Sequence, residues 1–130
     1  MVNIREQSPL SMAFVGDAVY SLVIREYLVK DKRYNINTLN RLTVKYVSAH
    51  GQFLALDILK EILTEEELTM VKRGQNTSKA SVAKHASVEE YRASTGFECL
   101  LGWLKLTGQD DRINYLVDYI IRNIDFEQKK

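Results

Sequence analysis

One apolar stretch decides the fold, Ser11-Met12-Ala13-Phe14-Val15-Gly16-Asp17-Ala18-Val19-Tyr20. It follows Ser8 and Pro9, a pair typical of the first residues of a helix, and it stays apolar as far as Val29, so a long central helix is predicted. Asp17 has mostly apolar neighbours at helical steps of three and four: Ala13, Phe14, Tyr20 and Ser21. This acid is therefore not expected on an ordinary solvated face, and a buried carboxylate there needs a cation, hydrogen-bond donors or a metal ion.

A second stretch of the same kind lies far along the chain, Ser94-Thr95-Gly96-Phe97-Glu98-Cys99-Leu100-Leu101-Gly102-Trp103-Leu104. Glycine weakens a helix, so the glycines of both stretches are expected to allow two backbones to approach closely: Gly16, Gly96 and Gly102. If the helices cross there, Asp17 and Glu98 face one another, and the two carboxylates repel unless a divalent cation lies between them. The alternative is a structural ion pair with Arg25 or Arg92.

The rest of the chain shows helical spacing and no convincing period-two alternation, so the predicted fold class is all-α. Asn37 is expected to cap the second helix, which Gly51 bends or breaks. The segment Thr64-Glu65-Glu66-Glu67 matches a capping box, and that short helix is predicted to stop at Gly74 as a C′ glycine.

Residues 74–87 are predicted to form the one long loop of the chain, because they lack apolar periodicity. Ser87 begins a second capping box, and the helix that follows carries Glu98 and closes at Gly108. Asp110 starts the final helix, and residues 125–130 are expected to fray. Residues 1–130 are predicted to make a single domain.

Composition narrows the class of protein. The 130 residues carry a net charge of only +1, so any attraction to phosphate must come from local clusters of Lys and Arg. The single cysteine, Cys99, excludes an internal disulfide, and the two histidines are too isolated for a zinc site. The first residues lack a signal-peptide pattern, and no apolar segment is long enough to span a bilayer, so a cytoplasmic protein without membrane contact is expected.

The two acidic stretches carry a resemblance to a known family. Phe14-Val15-Gly16-Asp17-Ala18-Val19 and Phe97-Glu98-Cys99-Leu100-Leu101-Gly102 resemble the paired acidic motifs of the ribonuclease III catalytic domain. Lys72-Arg73-Gly74-Gln75-Asn76 and Tyr91-Arg92-Ala93-Ser94-Thr95-Gly96-Phe97-Glu98 are similar to mini-ribonuclease III, the stand-alone form without a double-stranded-RNA-binding domain. The likeness runs from about Leu10 to Asn123, and it implies the helical fold of that family, in a homodimer.

The resemblance also implies an activity. It indicates a Mg²⁺-dependent endoribonuclease, with Mn²⁺ as a plausible substitute, that cleaves double-stranded RNA and leaves 5′-phosphates. Asp17 and Glu98 are the implied catalytic residues and metal ligands. The implied substrate is the stem formed by the two ends of the precursor of 23S ribosomal RNA, with a ribosomal protein as a possible helper that the sequence itself does not show.

Two positions depart from the longer ribonuclease III pattern. Ala13 stands where those enzymes place a Glu, and Thr95 stands where they place an Asp, a reduction that the mini form shares. We therefore expect weak metal binding by the free protein, with the hydroxyl of Ser94 or Thr95 holding metal-bound water. Submicromolar Mg²⁺ affinity in a calorimetric titration without RNA would contradict this expectation.

Polar and basic side chains in and around the predicted loop are the candidate RNA contacts: Lys72, Arg73, Gln75, Asn76, Lys79, Lys84 and His85. A-form RNA is held mostly through phosphates and 2′-hydroxyls, for which such side chains are suited. The alternative is an ordinary solvated loop. Two further functions stay open: a non-catalytic RNA-binding module with this fold, and a helical interaction protein in which the two acids are incidental.

Overall fold

The computed structural model describes residues 7–30, 33–77 and 87–126. These residues form helices and connecting turns, with no strand among them, so the prediction of an all-α fold is confirmed. The helices are α1 Pro9–Lys30, α2 Ile36–Val47, α3 Ala49–Leu59, α4 Glu65–Thr77, α5 Val88–Leu106 and α6 Asp110–Asn123. No helix in these ranges combines the length and the apolar character needed to cross a bilayer.

The pair α1 and α5 forms the centre of the molecule, and the two helices touch backbone to backbone. A Cβ atom added at Gly16 would overlap the carbonyl oxygen of Glu98, and one added at Gly102 would overlap the carbonyl oxygen of Met12. The predicted crossing at glycines is therefore confirmed for these two positions. Around the crossing, α5 is buried from Ala93 to Leu104 except at Glu98, which is half-buried.

A second glycine contact joins α4 to α5, and it corrects two predictions. A Cβ atom at Gly74 would lie 2.8 Å from the Cα of Gly96, and Gly96 in turn faces Val71 rather than α1. Gly74 is thus a packing glycine inside α4, and the helix continues to Thr77 instead of stopping at Gly74. The first residues of the predicted 74–87 loop are helical, while Lys79, Lys84 and His85 lie outside the described residues.

Helix ends explain where the second predicted helix divides. Asn35, and not Asn37, caps α2, because its Oδ1 accepts a hydrogen bond of 2.9 Å from the backbone N–H of Thr38. The break falls at Ser48, whose extended backbone and Oγ cap α3 through the N–H of Gly51 at 3.0 Å. Gly51 lies inside α3, and its role is in packing: a Cβ atom there would overlap the carbonyl oxygen of Lys45.

The other predicted caps are confirmed. Ser8 Oγ accepts from the N–H of Leu10 at 3.1 Å, and Ser87 Oγ accepts from the N–H of Glu90 at 3.0 Å. Gly108 follows the end of α5 with a φ of 74°, the left-handed conformation that glycine adopts readily. The tail prediction is wrong for its first residues, since Phe126 packs edge-on against Tyr46 with ring centroids 4.8 Å apart.

One face of α1 leaves apolar side chains in solvent. Leu10, Phe14, Ala18 and Leu22 are exposed and recur every fourth residue, which places them along one side of the helix. Phe14 is 80% exposed, although burying a phenylalanine side chain is worth about 1.5 to 3 kcal/mol. We call this set the α1 apolar face.

An ion pair between buried Glu67 and half-buried Arg112 joins α4 to α6. Glu67 completes the predicted capping box with Thr64, and its carboxylate accepts from Arg112 Nε and Nη2, both at 2.8 Å. Burial opposes ionisation of Glu67, but the hydrogen bonds from Arg112 and Thr64 outweigh it and lower the pKa of this carboxyl. The folded chain therefore holds Glu67 ionised to lower pH than the unfolded chain does.

Replacing Arg112 with Met is expected to cost about 3 kcal/mol of unfolding free energy at pH 7, because it leaves a buried carboxylate without its partner. The Glu67 contribution is present above the ordinary pKa of 4.5 and is lost as the pH falls through the lowered value, so the difference from wild type shrinks in acid. Urea denaturation at pH 7 and at pH 4 measures both effects. Arg122→Met, which removes an exposed pair with Asp118, is the control and is expected to cost less than about 0.5 kcal/mol; equal costs for the two variants would contradict the assignment.

Candidate metal centre

Asp17 and Glu98 meet where α1 crosses α5. Because Gly16 lies against the carbonyl of Glu98, the side chains of the neighbouring positions are brought to the same edge of the crossing. The charge of Asp17 and a side-chain hydrogen bond with it both raise the pKa of Glu98, so the two carboxyl groups lie next to each other. Two acids that are remote in sequence therefore converge as the glycine argument predicted.

The surroundings of the two acids differ. Asp17 is exposed, so the expectation that it avoids a solvated position is wrong for the single chain; it lies beside the α1 apolar face. Glu98 is half-buried, and burial is the largest cause that raises its pKa, to about 8. The hydrogen bond from Gln52 opposes that rise, whereas the charge of Asp17 and the hydrogen bond between the two carboxyl groups add to it.

Gln52 is the residue of this site that the sequence reasoning missed. Its Nε2 donates to Glu98 Oε2 at 3.1 Å and to the carbonyl oxygen of Val47 at 3.2 Å. The signal that could have found it is the one used for Asp17, a polar residue followed by an apolar helical run, here Phe53-Leu54-Ala55-Leu56.

The structural ion-pair alternative is not supported by the arginine contacts. Arg25 Nε donates to Ser21 Oγ at 3.0 Å, and Arg92 Nε donates to the carbonyl oxygen of Gln75 at 3.1 Å. In the described part of the chain, neither guanidinium forms an ion pair with Asp17 or Glu98. With its pKa at about 8, Glu98 keeps a proton at neutral pH, and a bound cation in place of that proton would let both carboxylates be ionised.

The residues present fit a hard divalent cation. Mg²⁺ binds oxygen ligands, and in many sites it takes one or two carboxylates from the protein while water and substrate phosphates complete its shell. Burial, and to a smaller extent the charge of Asp17, raise the pKa of Glu98, and a bound cation would oppose both effects by favouring the ionised carboxylate. Across residues 7–30, 33–77 and 87–126, no group of three or more His, Cys, Asp or Glu side chains is placed to hold a metal ion.

The hydroxyls considered as water-holding groups lie one turn before Glu98 on α5. Ser94 Oγ donates to the carbonyl oxygen of Tyr91 at 2.9 Å, and Thr95 Oγ1 donates to the same oxygen at 3.1 Å. Both residues are buried. Ala13, at the other departure from the longer pattern, is buried as well.

The described RNA-contact candidates lie on α4. Lys72 and Asn76 are exposed, whereas Arg73 and Gln75 are half-buried. Arg73 Nη2 donates to the carbonyl oxygen of Gln7 at 3.4 Å, so this guanidinium also ties α4 to the segment before α1. Of the described members of the set, Lys72 and Asn76 are thus the ones whose side chains are most open to a ligand.

Comparison with known proteins identifies the class. The family model of the ribonuclease III domain matches residues 10–109 of this chain. A crystal structure of a protein from Fusobacterium nucleatum superposes with a TM-score of 0.83 at 31% identity, covering 94% of this chain and 98% of that one. The described chain is thus a ribonuclease III domain, the catalytic domain of endoribonucleases that act on double-stranded RNA.

The curated relatives define the branch of this class. Mini-ribonuclease 3 of Enterococcus faecalis is 40% identical over 126 residues, which cover 95% of this chain and 96% of the relative. Mini-ribonuclease 3 of Streptococcus pneumoniae is 39% identical over 127 residues, covering 96% and 99%. The chain belongs to the mini-ribonuclease III branch of the ribonuclease III family.

Proposed function

We propose that Asp17 and Glu98 together bind Mg²⁺ and that this pair is the catalytic centre at which the enzyme cleaves double-stranded RNA. The observation that carries the proposal is the contact between the two carboxyl groups at the α1–α5 crossing. Asp17 and Glu98 would hold the ion, and the chemistry supplied by Mg²⁺ there would be activation of a water molecule as nucleophile and neutralisation of charge on the scissile phosphate. Mn²⁺, with the same preference for oxygen ligands, is expected to substitute.

The roles of the chain's own residues follow from their positions. Asp17, being exposed, presents its carboxylate to the solvent side from which a phosphodiester arrives. Glu98 Oε2 accepts a hydrogen bond from Gln52. Because its pKa is raised to about 8, Glu98 must lose a proton before both acids can act as metal ligands. Because the protein contributes two carboxylates, the substrate phosphate completes the ligand set, which supports weak metal binding in the absence of RNA.

We propose that the enzyme acts as a homodimer joined through the α1 apolar face. Phe14 is 80% exposed and lies within a row of exposed apolar residues, and a contiguous exposed apolar patch of this kind is typical of an interaction surface. A two-fold pair of chains would present two identical centres to the antiparallel strands of a duplex, so that both strands are cut. Asp17 lies on the helix that carries this face, which would place each centre beside the interface.

Sedimentation equilibrium tests the dimer. The wild-type protein is expected at twice the 15.0 kDa mass of the chain, and Phe14→Asp is expected to be a monomer because it places a charge at the centre of the interface. Val44→Asp is the matched control, since Val44 is 59% exposed on α2. A monomeric wild type, or a Phe14→Asp dimer as tight as wild type, would remove the α1 apolar face from the assembly.

We propose the precursor of 23S ribosomal RNA as the substrate, cut in the stem formed by its two ends. This assignment rests on membership of the mini-ribonuclease III branch. The test is incubation of the pure protein and Mg²⁺ with a transcript that pairs both ends of the precursor, with and without added ribosomal proteins. Cleavage in both strands of the stem is expected; a transcript left intact while other duplexes are cut would contradict the substrate.

For duplex binding we propose contacts from Lys72 and Asn76, with Arg73 and Gln75 beside them. Replacing Lys72 with Ala is expected to reduce the slope of log K against log salt concentration by about 1, since one phosphate contact is lost. Fluorescence anisotropy with an inactive Asp17→Asn background measures this without cleavage. Lys60→Ala is the control, because it also removes one exposed lysine, but from the end of α3 rather than from α4. An unchanged slope for Lys72→Ala would take α4 out of the interface.

A further inference from the structure

Gln52 is an unusual side chain for a helical core. It is 1% exposed and projects from the first turn of α3. The carbonyl oxygen of Val47 can only accept, so the amide nitrogen is the atom that faces both Val47 and Glu98 Oε2. Its amide oxygen Oε1 is then left buried without a hydrogen-bond partner.

This arrangement does not serve stability. A buried amide oxygen without a partner destabilises a fold, and an apolar side chain of similar size would avoid that cost. The nitrogen, by contrast, bridges the last turn of α2 at Val47 to the carboxylate of Glu98 on α5. The single donor group therefore fixes one oxygen of the Glu98 carboxylate relative to two other helices.

We propose that Gln52 is a positioning residue, which holds the Glu98 carboxylate in the orientation that lets it share a cation with Asp17. The inference rests on the proposed function of the Asp17 and Glu98 pair. Groups that orient a metal ligand from behind restrict its rotation and keep it ready for the metal. Without the Gln52 amide, a half-buried carboxylate beside a second acid is free to turn away from it.

Gln52→Met tests the inference, because methionine fills a similar volume and removes both the donor and the unpaired oxygen. Gln52→Asn is a second variant, since it keeps an amide that is too short to reach Glu98. Thr43→Val is the matched control: Thr43 is 4% exposed and loses one hydrogen bond, to the carbonyl oxygen of Leu39 at 2.7 Å. Mn²⁺ binding to the RNA-free protein is followed by electron paramagnetic resonance of free Mn²⁺, alongside kcat and KM for duplex RNA and the melting temperature.

Both Gln52 variants are expected to weaken Mn²⁺ binding about tenfold and to lower kcat at fixed Mg²⁺ while KM for RNA stays the same. Thr43→Val is expected to match wild type in Mn²⁺ affinity. Mn²⁺ affinity within twofold of wild type in either folded Gln52 variant overturns the inference, and so does a fall in kcat that only follows a fall in melting temperature. If wild type binds Mn²⁺ but cuts no duplex, the proposed function fails while the Gln52 inference is still decided by Mn²⁺ binding.

Discussion

Replacing Asp17 with Asn is expected to abolish cleavage of duplex RNA, with a loss in rate on the order of a thousandfold or more. Glu98→Gln is expected to do the same. Each change removes one of the two carboxylates that hold the cation, and metal stabilisation of the transition state is worth several kcal/mol. Single-turnover cleavage of a labelled duplex in Mg²⁺ measures the loss. Activity within tenfold of wild type in either variant would contradict the assignment of the centre.

The same variants separate loss of chemistry from loss of structure. In the folded chain the pKa of Glu98 is about 8, above its ordinary value of 4.5. The folded chain therefore binds this proton more tightly than the unfolded chain does. The stability that the protonated group contributes is present below pH 4.5 and is lost as the pH rises through about 8. Glu98→Gln is therefore expected to raise the melting temperature at pH 8 in the absence of metal, although it is inactive. A lower melting temperature would mean that Glu98→Gln loses activity because its fold is destabilised.

The second large effect is expected from Gly102→Ala. A Cβ atom there would overlap the carbonyl oxygen of Met12, so α1 and α5 must separate over their whole contact. Overpacking of this kind costs about 2 to 3 kcal/mol, which corresponds to a fall of roughly 10 °C in melting temperature. Because Glu98 lies one turn before Gly102 on the same helix, the separation is also expected to move it from Asp17 and reduce cleavage. Calorimetry and the duplex assay measure the two losses.

Gly108→Ala is the control for that substitution. Nothing lies within 4 Å of a Cβ atom at Gly108, but its φ of 74° is unfavourable for alanine. The expected cost is about 1 kcal/mol, with full activity, because the strain is confined to the end of α5. Equal losses of melting temperature and of activity in the two variants would contradict the role of Gly102 in the crossing of α1 and α5.

The convergence of Asp17 and Glu98 was predictable because its signal is local in both stretches. Gly16, next to Asp17 in an apolar helical run, indicates both the close crossing and the group that lies beside it, whereas Gly96, the glycine nearest to Glu98, packs against Val71 on α4. Capping was predictable for a similar reason. Ser8, Thr64 and Ser87 each accept from the N–H two or three residues onward, a contact that depends on nothing else in the fold.

The errors arose where a residue has two common uses that only packing distinguishes. Gly74 follows Lys72-Arg73 as a helix-ending glycine would, but its lack of a Cβ is needed for contact with Gly96 inside a continuing helix. Asn35 and Asn37 are both suitable N-cap residues. Asn35 is the cap because α2 begins at Ile36, which brings the N–H of Thr38 to the side chain of Asn35. Gln52 was missed because a neutral amide can stand in solvent or in a core, and the sequence does not show that this one is only 1% exposed.

The exposure of Asp17 could not be predicted from the sequence of one chain. Its neighbours Phe14 and Ala18 are apolar, which favours burial, yet both are exposed along with it. An apolar pattern is the same for a face that packs inside its own chain and for a face that packs against a partner, so it does not distinguish the two cases. The α1 apolar face accounts for this difference if two chains meet there.

The most direct test of the account is the position of Mn²⁺ in crystals of the wild-type protein grown with that ion. Anomalous diffraction is expected to show a peak between the carboxylates of Asp17 and Glu98, at the roughly 2.0–2.2 Å typical of small divalent cations and oxygen ligands. The peak should disappear in Asp17→Asn crystals grown under the same conditions. An ordered Mn²⁺ that contacts neither carboxylate, or one that remains in place without Asp17, would contradict the shared metal centre.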